Sequence, residues 1–120
     1  MSFELRRSYH FEAAHWLPEV AADHPCRKMH GHSYEVEVAV RGELGPGGWV
    51  IDFAAIDFVL EPLIVALDHS CLNETAGLEN PTSELLARWL WQRIESEITG
   101  LAAVCVAETA SSRVIYDGHG

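Results

Sequence analysis

Two histidines one residue apart, His30 and His32, head a strand-like alternation of apolar and polar residues. That alternation constrains both the fold and the place where chemistry can sit. Tyr34, Val36, Val38 and Val40 fall on one parity, Glu35 and Glu37 on the other. Strand side chains repeat with period two, so His30 and His32 extend the apolar, inward face. Two imidazoles on one inner strand face make half of a metal site. The third ligand lies upstream. Tyr9, Phe11, Ala13 and His15 share a parity, and His15 ends a second apolar face. Pairing the two strands as neighbours brings His15 to His30 and His32. Three histidines with no fourth carboxylate nearby suit Zn2+ and leave a position open for water or substrate. The competing reading is a hydrogen-bonded core histidine, the commoner fate of a lone one such as His15.

A chain of 120 residues reads as one domain, residues 1–120, with 48% hydrophobic residues to build a core. No apolar run approaches the ~20 residues of a membrane span. The start, Met1 to Arg7, lacks the charged-then-apolar order of a signal peptide. Three widely spaced cysteines do not form a disulfide framework, which points to reduced thiols and a cytoplasmic protein. The formal net charge of −10 argues against generic nucleic-acid binding. It draws attention to the few cations, among them Arg27 and Lys28.

The periodicity predicts a strand over about 3–14, a loop over about 17–29 and a strand over about 31–42. A glycine-rich turn from Gly42 to Gly48 follows, and Trp49 to Ile51 reads as a short strand or a strand end. Asp52 caps a helix from Phe53 to Leu67, with Ile56, Val59, Leu60, Leu63, Ile64 and Leu67 on one face. Pro62 should kink or divide it. Residues 68–79 read as loop. Asn80 to Glu84 opens a second helix that runs to about Ile98, with Gly100 past its end. Strands follow at Val104 to Glu108 and Arg113 to Tyr116. The class is α+β: an antiparallel, four-stranded sheet with two helices on one face. Such a small sheet has edges to protect, which favours an oligomer.

Three further features carry chemistry. Cys26 precedes the histidine pair, and cationic neighbours make a thiol a better acid–base group. Asp68 beside His69 can orient and charge an imidazole where their side chains meet. Glu108 ends a strand on the parity of Val104 and Val106, where a carboxylate is costly unless it binds donors. A single cysteine or an Asp-His pair is more often structural than catalytic. Cys71 and Cys105 read as core or near-core residues. His10 points away from His15, and His24 and His119 have no partner visible in the sequence.

The residues Phe11 to His15, Cys26 with His30 and His32, Gly48 to Phe53, Leu67 to His69, Leu72-Asn73, Gly77 to Glu84 and Glu108-Thr109 form one ordered set. In that order and spacing, over nearly the whole chain, the sequence resembles the 6-pyruvoyl-tetrahydropterin synthase family. Within it the nearest likeness is to the bacterial 6-carboxytetrahydropterin synthases of queuosine biosynthesis. The resemblance implies a tunnelling fold (T-fold) whose sheets join across subunits into a barrel, usually a homohexamer built as two trimers. It implies one zinc per subunit on His15, His30 and His32, with Cys26 as the catalytic base. Asp68 and His69 match a relay that reaches the site of a neighbouring subunit. Glu108 matches the carboxylate that holds the pterin ring, and Thr82, Ser83 and Glu84 match a segment near it.

The implied substrate is 7,8-dihydroneopterin triphosphate, and the implied products are 6-carboxytetrahydropterin, acetaldehyde and triphosphate. Zinc would serve as the Lewis acid, with Arg27 and Lys28 as the nearest cations for the triphosphate. Two departures stand out: Asp57 occupies a position where relatives commonly carry lysine, and the segment after Glu108 differs from commoner patterns. Two other readings compete. One is a sister enzyme that eliminates triphosphate to form 6-pyruvoyl-tetrahydropterin, or trims the side chain for folate. The other is a non-catalytic zinc- or pterin-binding protein with a closed Cys26/His15/His30/His32 site.

Overall fold

The computed structural model describes residues 2–120; Met1, the first residue of the start segment considered above, lies outside them. Two long strands, β1 (Phe3–His15) and β2 (His30–Gly42), run antiparallel along their whole length. Their register sets Phe11 opposite Tyr34, Ala13 opposite His32 and His15 opposite His30. The two alternations therefore fall on one face, as their parities require. Phe11, Tyr34, Val36, Val38 and Val40 lie in the core. The other face carries cross-strand ion pairs, such as Arg41 Nε to Glu4 at 2.6 Å and Arg6 to Glu37 at 3.6 Å, with a further pair along β1 from Arg6 Nε to Glu4 at 2.7 Å. Opposite charges across a solvated sheet face stabilise it only modestly.

Five strands build the sheet, one more than the periodicity predicts. The additional strand is β3 (Ser70–Cys71), which pairs parallel to β1 at Ala13 and Ala14. Two residues carry no periodicity, so nothing in the sequence marks this strand. The remaining two are β4 (Leu101–Thr109) and β5 (Ser112–Tyr116), in the order β3-β1-β2-β4-β5. The sheet is mixed rather than wholly antiparallel. Trp49 to Ile51 is not a strand: the Gly45 N–H donates to Trp49 O at 2.9 Å and closes the loop on itself.

Both helices lie on the apolar face. Helix α1 (Phe53–Leu67) starts at Asp52, whose Oδ1 accepts the Ala54 N–H at 2.9 Å. Its inner face seals Ile56, Leu60 and Leu67 completely. Each such side chain contributes about 1.5–3 kcal/mol by leaving water. Pro62 neither ends nor divides the helix; it sits on the exposed side. Helix α2 (Ser83–Ile94) packs against β4 and β5 and stops four residues before the end its pattern suggests. Ile98 is still buried, reached through turns that bond Glu97 and Ile98 N–H groups to Ile94 O. The early stop lets Gly100, at φ +85°, meet the end of β2. A Cβ there would lie 2.3 Å from Arg41 O, and the Arg41 N–H donates to Gly100 O. Among the described residues no helix is long and apolar enough to cross a membrane.

Leu60→Ala leaves a cavity where α1 meets the sheet. The expected loss is about 2–5 kcal/mol of unfolding free energy, measured by urea denaturation.

Candidate metal centre

At the end of the β1–β2 ladder the three imidazoles converge. One ligand nitrogen each from His15, His30 and His32 falls within a 4.8 Å cluster. The rings stand edge-on to one another, with centroids 4.5–5.0 Å apart. His15 is the buried member, 1% exposed. That burial pushes its pKa below the ordinary histidine value, which favours the neutral, metal-binding form.

Backbone carbonyls settle two of the tautomers. His15 Nδ1 lies 2.9 Å from Pro81 O, and His30 Nδ1 lies 2.7 Å from Lys28 O. A carbonyl only accepts, so each Nδ1 carries the proton and each Nε2 presents a lone pair. Those two Nε2 atoms are 2.9 Å apart. Two lone pairs at that separation repel unless a proton or a cation lies between them. The Nε2 of His32 is the one buried polar side-chain atom among the described residues that has no hydrogen-bond partner. Buried polar atoms are normally satisfied. An all-imidazole set with fixed tautomers and an orphaned nitrogen fits a borderline-soft divalent ion such as zinc.

The other candidate residues lie around this cluster or apart from it. Glu108 Oε2 lies 3.6 Å from His32 Nε2, at the end of β4. Cys26 occupies a single 3-10 turn, Pro25–Arg27, half-buried and outside the three-nitrogen cluster. Its carbonyl accepts the Leu17 N–H at 2.8 Å, which ties the turn to the chain just after His15. The Arg27 guanidinium donates to Val20 O at 2.9 Å. Thr82 Oγ1 caps α2 by accepting the Leu85 N–H at 3.1 Å; Ser83 and Glu84 form the first turn.

Asp68 and His69 do meet: Asp68 Oδ2 is 3.0 Å from His69 Nδ1. The Glu12 backbone N–H, and then His69, hold the Asp68 carboxyl below the usual range, so it stays ionised. His69 sits at φ +57°, a left-handed conformation uncommon for a non-glycine residue. Its N–H donates to Glu12 O at 2.6 Å, and its side chain is 79% exposed. His69 lines a groove of about 550 Å³ together with His32, Glu12, Ser33 and Cys71.

Several contributors were not visible in the sequence. Lys28 orients His30 through its carbonyl, not its ammonium. Pro81 does the same for His15, and Tyr34 Oη shares that Nδ1–H at 3.1 Å. Carbonyls carry no signature in a side-chain pattern. His24 has a partner after all: its Nδ1 accepts the Cys26 N–H at 3.0 Å. His119 likewise meets Asp117 at 3.1 Å. Cys71 is half-buried and lines the groove, and Cys105 is buried. Asp57 holds Arg7 through two hydrogen bonds of 3.0 and 2.8 Å and accepts the Tyr9 hydroxyl at 2.6 Å. Here it pins α1 to β1 as an anion.

Known proteins share this sequence pattern and this fold. The family model described as 6-pyruvoyl tetrahydropterin synthase matches residues 4–119. A 6-carboxy-5,6,7,8-tetrahydropterin synthase of Synechocystis is 38% identical over 119 residues, covering 93% of this chain and 91% of the relative. That of Bacillus subtilis is 31% identical over 129 residues, covering 96% and 85%. The structure of Caenorhabditis elegans 6-pyruvoyl tetrahydropterin synthase matches with a TM-score of 0.89 at 25% identity, over 99% of this chain and 97% of that one.

Metal binding should be proton-competitive. Titration with Zn2+ is expected to saturate at one ion per chain at neutral pH. Affinity should then fall as pH drops through the ordinary histidine pKa of about 6.5, because the imidazoles must be neutral to bind. Competition with a chromophoric chelator across that range measures it.

Proposed function

The chain belongs to the 6-pyruvoyl tetrahydropterin synthase family, and from that premise we propose that it acts as a 6-carboxy-5,6,7,8-tetrahydropterin synthase. In this reading it converts 7,8-dihydroneopterin triphosphate to 6-carboxytetrahydropterin, acetaldehyde and triphosphate, in the cytoplasm, as a step of queuosine biosynthesis. The observation that carries the reading is the cluster of His15, His30 and His32 nitrogens, with the orphaned His32 Nε2 next to Glu108. The names of the two bacterial relatives favour this product over 6-pyruvoyl-tetrahydropterin.

The three histidines would hold zinc, which supplies Lewis acidity toward a side-chain hydroxyl of the substrate. The rest falls to the protein. Glu108 suits the amino-pyrimidine edge of a pterin, since one carboxylate accepts two parallel N–H donors. Cys26 would take a proton as thiolate. Its absence from the three-nitrogen cluster supports a catalytic thiol over a closed four-ligand site. Asp68 orients His69 through Nδ1, which leaves Nε2 to carry a proton. The exposure of His69 suits a relay that serves a neighbouring subunit's site.

Thr82 spends an oxygen lone pair on its cap and keeps its O–H to donate, with Ser83 and Glu84 beside it. Arg6, Arg7, Arg41 and Arg113 are all bound to carboxylates. The Arg27 guanidinium donates to the Val20 carbonyl at 2.9 Å, and among the described residues it forms no ion pair. Together with Lys28 it offers charge to a triphosphate. The outer edge of β1 is unpaired over most of its length, and β5 has a free edge among the described residues. Joining such edges between copies would close a barrel and remove them. That supports a homohexamer of two trimers with sites at its interfaces.

Anaerobic incubation of the zinc-loaded protein with 7,8-dihydroneopterin triphosphate, read by mass spectrometry, tests the assignment. Equimolar 6-carboxytetrahydropterin and acetaldehyde are expected. 6-Pyruvoyl-tetrahydropterin would move the chain to the sister activity, and unchanged substrate would indicate a binding protein.

Cys26→Ala separates the roles of the thiol. Zinc content should stay at one per chain while kcat falls by about 10²–10⁴. Loss of the metal together with stability would instead mark a closed structural site.

A further inference from the structure

Asn73 grips the chain on the far side of His15, and no step above uses it. Its Oδ1 accepts the Trp16 N–H at 3.0 Å, while its Nδ2 donates to Trp16 O at 2.8 Å. Both backbone groups of the residue after His15 are thus taken by one side chain. This continues the work of β3, which pairs with β1 only at Ala13 and Ala14. The second Nδ2 hydrogen points to Glu79 O at 3.4 Å. Two residues on, Pro81 O accepts the Nδ1–H of the His15 ring.

One planar amide therefore touches both things that aim His15: the backbone that carries it and the loop that holds its ring. Only a carboxamide offers an acceptor and two donors on one head. Asn73 itself is fixed by the short turn Leu72–Glu74, whose Leu72 is fully buried. His15 is the buried ligand of the three, so little room exists for its ring to re-aim once either support moves.

We propose that Asn73 is a positioning residue of the metal centre: it sets the direction of His15 Nε2 by coupling the end of β1 to the 79–81 loop. The inference rests on the metal reading of the three histidines. Partners that orient a metal ligand commonly carry 10–100-fold in metal affinity. The probes are Zn2+ affinity by chelator competition and the visible absorption bands of the Co2+-substituted protein, which report ligand geometry directly. The thermal midpoint of the metal-free protein is followed in parallel. Ile98→Val, a change in the buried core away from the site, serves as the control for general destabilisation.

In Asn73→Ala, Zn2+ should bind about 10–100-fold more weakly, and the Co2+ bands should shift. The control should lower the midpoint and leave both metal readouts unchanged. An Asn73→Ala protein with a lower midpoint but wild-type affinity and Co2+ bands would overturn the proposal and leave Asn73 a purely structural residue. Should that variant not fold, Asn73→Ser, which keeps one hydroxyl but cannot span the three contacts, is read by the same two outcomes. Wild-type protein that binds no zinc would sink the metal reading itself, a result distinct from a failure of the Asn73 assignment.

Discussion

The pairing of His15 with His30 across the β1–β2 ladder is the constraint on which the site depends. It places His32 one strand repeat further along the same inner face, opposite Ala13, and so builds a cluster from two strands that the core already holds rigid. Strand ends are where backbone groups run out of ladder partners. Here the groups nearby are put to use. Carbonyls of Lys28 and Pro81 take the Nδ1 protons, and the orphaned lone pairs turn toward one another. A buried imidazole pays for its desolvation in proton affinity, which is why His15 stays neutral. Neutrality is also what a metal requires of it.

The two faces of the sheet divide the polar work. The inner face has almost no charge until its very end, where the imidazoles and Glu108 sit together. The outer face is laced by Glu4, Arg6, Glu37, Arg41, Glu35 and Arg113. In a chain of net charge −10, three of the seven arginines are thereby occupied by structure. Asp57 belongs to the same economy. It accepts from Arg7 and Tyr9, and both partners hold its carboxyl below the usual range.

Much of this was legible in the sequence because long, strictly alternating strands encode their own faces. The parity of Tyr9, Phe11, Ala13 and His15 against that of His30, His32 and Tyr34 was enough to bring the three histidines together. The Asp52 cap and the inner stripe of α1 were equally plain. Other features had no pattern to read. β3 is two residues long and pairs through backbone alone. The carbonyls of Lys28 and Pro81 are invisible in side-chain chemistry, and the grip of Asn73 on Trp16 joins residues 57 positions apart. Helix α2 ends early because β2 must meet Gly100 at close range, a tertiary demand that no local propensity expresses.

The ladder also governs which parts of this chain are free to diverge. Slipping either strand by one residue turns every side chain to the opposite face, so a single insertion between Phe11 and His15, or between His30 and Tyr34, would turn imidazoles out toward solvent. Length can change at low cost only between the strands, and the segment from Trp16 to Met29 is such a place. That segment carries Cys26, Arg27 and Lys28. The side chains proposed for proton transfer and anion binding thus sit on a segment whose length the strand register does not fix, while the three histidines are locked into the ladder. A fold arranged this way can vary the side chains around its three histidines without disturbing the strands that hold them.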